Sequence, residues 1–543
     1  MARCMDELSG WIEARVSAAR TRSPRWLKSC LAPGLTVVAL LVAGYFLSHH
    51  YGVSWDEPDT GAFAREALQA YLDRRPRAEW YVSLEPYGPF FVATAEMATR
   101  LLVRLRPSWS DVEARHFAYF LSFPLAAAAL YGLARRLVSQ PAALASVLLF
   151  AAQPLLFGHA FINPKDTPFM AFFAASVWSG LWMVDAFARS SGDGPHPTAK
   201  LTIFRLALAG VILGLSTSIR LFGPFAGVLV TVLAMVRMGR KSLGPLALYW
   251  ATATVVCYLT WPYLWGDPIR RLAWSVRFML DFPWDNPVLY RGLAYPAPDL
   301  PWHYLPFVTL AQLTEPLVLL ALLGSLFGIA RLVEDRTRMA LYIVVGLWIA
   351  VPYAAAVLGD ITVYDNSRQF LFAFPPLFLS AALGFEAIFR RARSALIRIG
   401  ITVAAVAPGL TAMTQLHPYE YIYYNALVGG VPGAYREYEL DYWGTSYRAA
   451  MEFVNSVAPF GATVVASGPW MSAALFARED LVVRKTGEPL PPEAEPPSYF
   501  LTLARSNFDL AFMPGEPLLA EVTVEGATLA VVKMHWRAGP LAP

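Results

Sequence analysis

Charge is scarce in this chain. Lys, Arg, Asp and Glu make up 15% of its 543 residues, where soluble domains carry roughly 25%. A water-exposed globular surface along the whole length is therefore excluded. Cysteine is nearly absent. Cys4, Cys30 and Cys257 are the three; they have no metal-ligand spacing, and none falls in 416–543, which excludes a disulfide framework there. No long basic stretch is interleaved with aromatics and the net charge is only +4, so nucleic acid is not an expected partner. No Walker or dinucleotide glycine fingerprint occurs, which speaks against a nucleotide donor. No internal repeat and no low-complexity tract is visible. The first apolar run lacks a small-x-small cleavage site, so it reads as a span and not as a cleaved signal.

What the chain has instead is apolar length: 56% of it is hydrophobic and 14% aromatic. The hydrophobic residues gather in runs of about 17–22, enough to cross a bilayer. We expect about eleven spans, at 31–48, 116–134, 141–157, 168–187, 203–219, 221–236, 244–262, 308–330, 339–358, 370–388 and 395–415. The basic residues alternate by side. The tail 1–30 carries Arg3, Arg15, Arg20, Arg22, Arg25 and Lys28. Every second short loop is basic too: Arg135 and Arg136; Arg189 and Lys200; Arg237, Arg240 and Lys241; Arg331, Arg336 and Arg338; Arg390, Arg391 and Arg393. The short loops between hold single cations, Lys165, Arg220 and Arg368. This bias puts the N-terminus in the cytoplasm. An odd number of spans then puts 416–543 outside, as a small α/β or α+β domain. Its strand-like stretches are "ATVVAS", "FDLAFM" and "EVTVEGATLAVVKM", the last a hairpin about Glu525-Gly526. The proline-rich "GEPLPPEAEPPS" (487–498) reads as a surface loop. The fold class expected is an α-helical polytopic membrane protein, with 31–415 as the membrane domain and 49–115 and 263–307 as long outer loops.

This topology collects the unusual polar stretches on one face. "YGVSWDEPDTGAF" brings the adjacent carboxylates Asp56 and Glu57. "GHAFINPKDTPFM" brings His159, Asn163, Lys165 and Asp166. "SIRLFG" brings Arg220, and "GDITVYDNSRQFLFAFPPL" brings Asp365 and Arg368. Ionisable groups at span ends are cheaper than at mid-bilayer, and both signs gathered at one face suggest a polar cavity. Between Pro164 and Pro168 a new helix starts, with Asp166 or Thr167 as its cap. Its free N–H groups and Lys165 suit a phosphate at the membrane surface. The competing reading has Lys165 snorkelling to headgroups and Asp166 merely capping. Asp56 likewise reads either as a helix cap or as a general base, and adjacent side chains on a helix diverge, so Asp56 and Glu57 would do different jobs. His159 reads as a locally bonded loop histidine. The tyrosine-dense 417–447 reads as an interfacial belt anchoring the outer domain on the bilayer.

"WDEP", "GHAFINPKDTPF", "DNSRQFLFAFPPL" and "HPYEYIYYNALVGGVPGAYREYELDYWGTSYRAAMEF" together resemble the polyprenyl-phosphate-dependent glycosyltransferases of the GT-C type. Within them the chain is most similar to bacterial relatives of protein O-mannosyltransferases and aminoarabinose transferases, over about residues 31–450. The resemblance implies a GT-C fold and transfer of a sugar from a polyprenyl-phosphate donor to a hydroxyl on a protein, lipid or glycan. Asp56 would be the catalytic base, with Glu57 beside it, and Asp166 the second-loop acid. Lys165, Arg220 and Arg368, with Asn163 and Asp365, would bind the lipid-linked phosphate. Relatives more often show Arg-His before the Phe-Leu-Phe run; here it is Arg368-Gln369. A divalent metal ion is a further expectation, held by Glu85 and His303. The membrane expected is the bacterial inner membrane. Two readings compete with the enzyme: a transporter or flippase of a lipid-linked glycan, and a non-catalytic assembly protein.

Overall fold

The computed structural model describes residues 25–75, 84–190, 199–332, 336–359, 361–488 and 497–536. The start of the basic tail and most of the 487–498 stretch lie outside the described residues. Helix follows helix up to residue 416, and a small sheet follows after that. Among the described residues seven helices are long and apolar enough to cross a membrane, or eight if a bent pair counts as one span. Leu31–Leu47 and Pro375–Phe389 are shorter apolar helices. The chain is an integral membrane protein.

In chain order the helices are α1 (Arg25–Leu47), α2 (Glu57–Asp73), α3 (Phe90–Leu105), α4 (Asp111–Phe120), α5 (Ser122–Leu137), α6 (Gln140–Ala151), α7 (Pro154–Ile162), α8 (Asp166–Ser190) and α9 (Ala199–Thr217). Next come α10 (Pro224–Met238), α11 (Leu243–Leu259), α12 (Pro268–Leu280), α13 (Tyr304–Ala311), α14 (Glu315–Leu332), α15 (Arg336–Leu358), α16 (Pro375–Phe389) and α17 (Ala395–Leu416). One apolar stretch, Pro224–Leu259, runs to 36 residues but is a hairpin. Trp250 Nε1 donates to Thr231 Oγ1 at 3.1 Å, and Gly227 packs on the Trp250 ring. Contacts between positions equidistant from 239–242 require a reversal there, and Gly239, with φ at 55°, turns the chain.

Two helix breaks depart from the expected spans, and they face each other. α6 and α7 meet at a 60° bend, where one straight span, 141–157, was expected. The expected span 308–330 is interrupted between α13 and α14. Buried Gln153 sits at the first break and serves the second. Its Nε2 donates to the Gln312 carbonyl at 3.0 Å, and its Oε1 accepts from Thr314 Oγ1 at 3.2 Å. Irregular backbone at membrane depth is tolerated where protein groups satisfy it. The expected span 370–388 also starts late: Arg368–Ala373 is a 3-10 turn and the helix begins at Pro375. α14 and α16 cross closely at Gly324 and Gly384, where a Cβ would strike the carbonyls of Ser380 and Leu320.

The C-terminal sheet holds five strands: β3 (Thr463–Ala466), β4 (Val482–Lys485), β5 (Ser498–Leu503), β6 (Leu518–Val524) and β7 (Ala527–His535), in the order β4-β3-β5-β7-β6. A separate hairpin in the 263–307 connection, β1 (Val288–Tyr290) with β2 (Leu293–Tyr295), precedes them. β3 pairs in parallel with β4 and β5, while β7 is antiparallel to β5 and β6. The β6–β7 turn is Glu525-Gly526, both left-handed at φ 48° and 81°, which suits a tight two-residue hairpin. "FDLAFM" is not a strand. Phe508–Ala511 is a short helix, because the preceding Ser506 and Asn507 are left-handed and turn the chain out of the sheet. Helix α18 (Tyr447–Val457) packs its apolar face on this sheet.

The tyrosine-rich 417–447 is no lipid-facing belt. Tyr421, Tyr424, Tyr442 and Tyr447 are all buried. Their hydroxyls find protein partners, Asp441, the Glu439 carbonyl, His159 and the Ser467 carbonyl. Buried tyrosines need such partners. Residues 419–443 join the hydrophobic core of the spans, and the separate core of the sheet begins at Tyr447.

Candidate functional site

The opening of α8 builds the centre. Asn163, not Asp166 or Thr167, caps it: Asn163 Oδ1 accepts from Asp166 N at 2.8 Å and Lys165 N at 3.1 Å. Asn163 Nδ2 donates to Asp166 Oδ2 at 2.9 Å. With the backbone served, the Asp166 side chain is left for ion pairs. It lies 2% exposed between two arginines, paired through Oδ1 with Arg220 and through Oδ2 with Arg368 at 3.6 Å. Arg220 comes from the turn between α9 and α10. Arg368 comes from the 3-10 turn before α16.

Asp56 is the N-cap residue of α2 by position, yet its side chain makes no capping bond. It reaches Lys165 instead, Nζ to Oδ2 at 3.2 Å. Lys165 sits over the Tyr87 ring at 5.0 Å and is 15% exposed, so it does not snorkel to headgroups. Burial works against the charge of Asp56, but Lys165, Arg368 and Arg220 outweigh it and hold the carboxyl below its ordinary value. Glu57 turns the other way. It accepts from Ser54 N at 2.7 Å and pairs with buried His116 at 3.2 Å. The adjacent carboxylates thus diverge, with Asp56 toward the cations and Glu57 toward α4.

Asp365 and Asn366 are consecutive left-handed residues, at φ 53° and 60°. That conformation is uncommon outside glycine and turns the loop sharply. Asp365 Oδ2 accepts from Arg368 Nε at 3.1 Å and Nη2 at 2.9 Å. The Arg368 guanidinium also lies over the Trp443 ring at 4.5 Å and the Tyr364 ring at 5.0 Å. Burial would weaken its charge, but Asp365, Tyr364, Asp166 and Asp56 hold it protonated above the ordinary arginine value. Beside this cluster a cavity opens, lined by Thr60, Phe63, Tyr87, Phe91, Pro164 and Lys165.

Asp56, Asn163, Lys165, Asp166, Arg220, Asp365 and Arg368 therefore meet at one place, contributed by four separate connections. Glu57, Glu85 and His303 do not join the ion-pair chain. His303 Nδ1 is bonded to Tyr290 OH at 2.9 Å. Glu85 lies on the Tyr87 side, and burial pushes its carboxyl up. Among the described residues no three His, Cys, Asp or Glu side chains are gathered as metal ligands would be. His159 lies in α7 and not in a loop; it is bonded locally, Nδ1 to Asn163 Nδ2 at 3.2 Å, and also far along the chain, Nε2 to Tyr442 OH at 2.9 Å.

One group at the site carried no sequence signal. Arg505, on the C-terminal domain just after β5, reaches Asp365 Oδ1 at 2.5 Å. Its guanidinium packs between the rings of Trp55 and Trp284, at 5.6 and 5.4 Å. Trp443, by contrast, lies in a segment that carried the family resemblance.

No family model matches the sequence, and no curated protein sequence does. In structure the chain is similar to ArnT from Cupriavidus metallidurans, at 14% identity and a TM-score of 0.49, over 92% of this chain and 97% of that one. It is also similar to the oligosaccharyltransferase of Archaeoglobus fulgidus, at 12% identity and a TM-score of 0.46. That match covers 83% of this chain and 64% of the archaeal one, so the chain spans about two thirds of that protein's length.

Proposed function

We propose that the chain is a membrane glycosyltransferase, moving a hexosyl or pentosyl group from a polyprenyl-phosphate donor to an acceptor hydroxyl. The observation that carries this reading is the convergence of Asp56, Lys165, Asp166, Arg220 and Arg368 in one buried cluster beside a cavity. Lys165, Arg220 and Arg368 form a cationic wall for the donor phosphate. Cations in a poorly solvated site offset the charge that builds on a leaving phosphate. Asp56 is the carboxylate paired with Lys165, the cation of that wall that lines the cavity.

In the single displacement, the acceptor oxygen forms a bond to the anomeric carbon as the bond from that carbon to the phosphate oxygen breaks. The acceptor proton goes to Asp56, the polyprenyl phosphate leaves, and the anomeric configuration inverts. The Asp56–Lys165 pair sets the order of events. Paired with Lys165, Asp56 is a weak base. A phosphate that draws Lys165 away relaxes that depression, so basicity rises when the donor is seated. The face concerned is the extracytoplasmic one, with the N-terminus in the cytoplasm of a bacterial inner-membrane protein. The acceptor is a hydroxyl of a protein, a lipid or a glycan.

The test is transfer of label from a radiolabelled polyprenyl-phosphate sugar by membranes containing the protein. Asp56→Asn is expected to lower transfer by about 10²–10⁴-fold, the usual contribution of a general base, while still inserting. Wild-type turnover by that variant removes Asp56 from the mechanism. Passage of label across the bilayer without a new glycosidic bond replaces the enzyme with a transporter.

A further inference from the structure

Beyond residue 447 the C-terminal domain reaches the ion-pair cluster through the loop that carries Arg505. That loop, Arg505-Ser506-Asn507, is the second place among the described residues where two consecutive non-glycine residues are left-handed: Ser506 at φ 50° and Asn507 at 59°. It meets the first such place, Asp365-Asn366, through the Arg505–Asp365 pair. Backbone held in sparse conformations persists only where its surroundings over-determine it, and it concentrates at functional sites. Here the surroundings are specific on both sides. Asn366 N donates to Tyr304 OH at 3.0 Å and Asn366 Nδ2 to the Glu439 carbonyl at 3.0 Å. Ser506 Oγ donates to Glu439 Oε1 at 2.6 Å. Asn507 Oδ1 accepts from Arg436, which also holds Asp509 at 2.6 and 2.7 Å.

Within this junction Arg505 differs from its neighbours. Ser506, Asn507 and Asp509 fasten to the segment 436–439, outside the ion-pair cluster. Arg505 donates to the Tyr442 carbonyl at 3.1 Å and otherwise reaches Asp365. Asp365 divides its two oxygens: Oδ1 takes Arg505 and Oδ2 takes Arg368. Asp365 is 4% exposed at its side chain, so water does not substitute for a lost partner at little cost. Removing Arg505 leaves Asp365 Oδ1 unpaired, and the carboxylate then turns toward whatever cation remains. That cation is Arg368, a member of the proposed phosphate-binding wall.

We infer that Arg505 is a positioning residue of the transfer site: through Asp365 it fixes the Arg368 guanidinium, so the C-terminal domain completes the donor-phosphate wall. The inference rests on the glycosyltransferase reading and adds to it a part for the domain after residue 447.

The test uses the full chain purified in detergent, with undecaprenyl phosphate as the probe, binding being followed by thermophoresis. Arg505→Ala is expected to weaken binding about tenfold, the order of one charge-assisted hydrogen bond. Arg436→Ala, which loosens the same junction without touching Asp365, is expected to change it less than twofold. In an Arg368→Ala background the Arg505→Ala change is expected to add nothing, since its route is gone. Arg505→Lys keeps the charge and one of the two contacts; it is expected to fall between wild type and Arg505→Ala, and it carries the test if Arg505→Ala does not fold. Arg505 variants that bind like wild type overturn the inference. So does an equal loss in Arg436→Ala, or an undiminished loss in the Arg368→Ala background. A wild-type protein that does not bind undecaprenyl phosphate overturns the functional reading and this inference with it, whereas binding by wild type with Arg505 variants unchanged overturns this inference alone.

Discussion

Helix α8 carries an acid at each end, and each acid is held by two arginines. Asp166 sits between Arg220 and Arg368, and Asp185 between Arg136 and Arg237. Nineteen residues separate them, about 28 Å along a helix rising 1.5 Å per residue. Seen as triplets the two are alike, and their settings differ. Asp166 is 2% exposed, and its partners continue into Asp365, Arg505, Trp443 and Tyr364. Asp185 is 21% exposed, and its triplet joins α5, α8 and α10 as a staple. A pair of arginines on a carboxylate therefore does not mark a site. What sets Asp166 apart is its burial and the charge network that continues from it.

The widest separation between the two is expected from removing the acids themselves. Asp166→Ala takes the buried carboxylate from Arg220 and leaves Arg368 with Asp365 alone, and breaking a buried pair costs about 3–5 kcal/mol. Transfer from the labelled donor, per folded molecule, is expected to drop by about 10³-fold or more. If folded Asp166→Ala protein transfers normally, the outer triplet is a staple as well and the comparison collapses.

Next in size is the exchange of arginines. Arg220→Gln removes one cation from the proposed wall and is expected to weaken undecaprenyl phosphate binding about tenfold. Arg237→Gln makes the same chemical change at the other end of the membrane domain and is expected to leave binding within twofold. Equal losses in the two variants would mean that both act through helix packing.

A smaller effect sharpens the account of Asp56. Its carboxyl is pulled in two directions: burial raises its pKa, while Lys165, then Arg368 and Arg220, lower it further. The basic form is the deprotonated one, so activity is present above the folded-state pKa and lost as pH falls through it. In the wild type this limb of kcat/KM lies below the ordinary carboxylate value of about 3.9. Lys165→Met removes the largest lowering influence and leaves burial in place. Its limb is expected to move to higher pH. A limb unmoved in Lys165→Met separates Asp56 from the pH dependence.

The cluster about Asp166 was legible in the sequence because its members are rare there. Lys165, Arg220 and Arg368 stand as single cations in otherwise apolar loops, and Asp56, Asp166 and Asp365 lie within a few residues of span ends. Alternating basic loops put them on one face before any coordinates. Arg505 carried no such signal, being one arginine in a polar domain, and its contact with Asp365 spans 140 residues of sequence. Buried tyrosines were misread for a related reason. Hydropathy treats Tyr421 and Tyr442 as interfacial, and only their hydroxyl partners, Asp441 and His159, show why they can be buried. The two helix breaks at Gln153 and Gln312–Thr314 were hidden because each satisfies the other across 159 residues of sequence.

The smallest effect expected is at the inner acid. Asp185→Asn removes the charge shared by Arg136 and Arg237 but keeps an oxygen that accepts from one of them. With the Asp185 carboxylate itself 21% exposed, against 2% for Asp166, solvent screens the pair, and such pairs contribute about 0–1 kcal/mol. For a chain of this size that lowers the thermal midpoint in detergent by about 1–2 °C. Raising the salt concentration is expected to shrink the difference between Asp185→Asn and wild type, because counter-ions weaken what the carboxylate supplied. Donor binding should be unchanged throughout. A loss of undecaprenyl phosphate binding in Asp185→Asn would tie the inner triplet to the outer one through α8, and the two ends of that helix would have to be treated as one device.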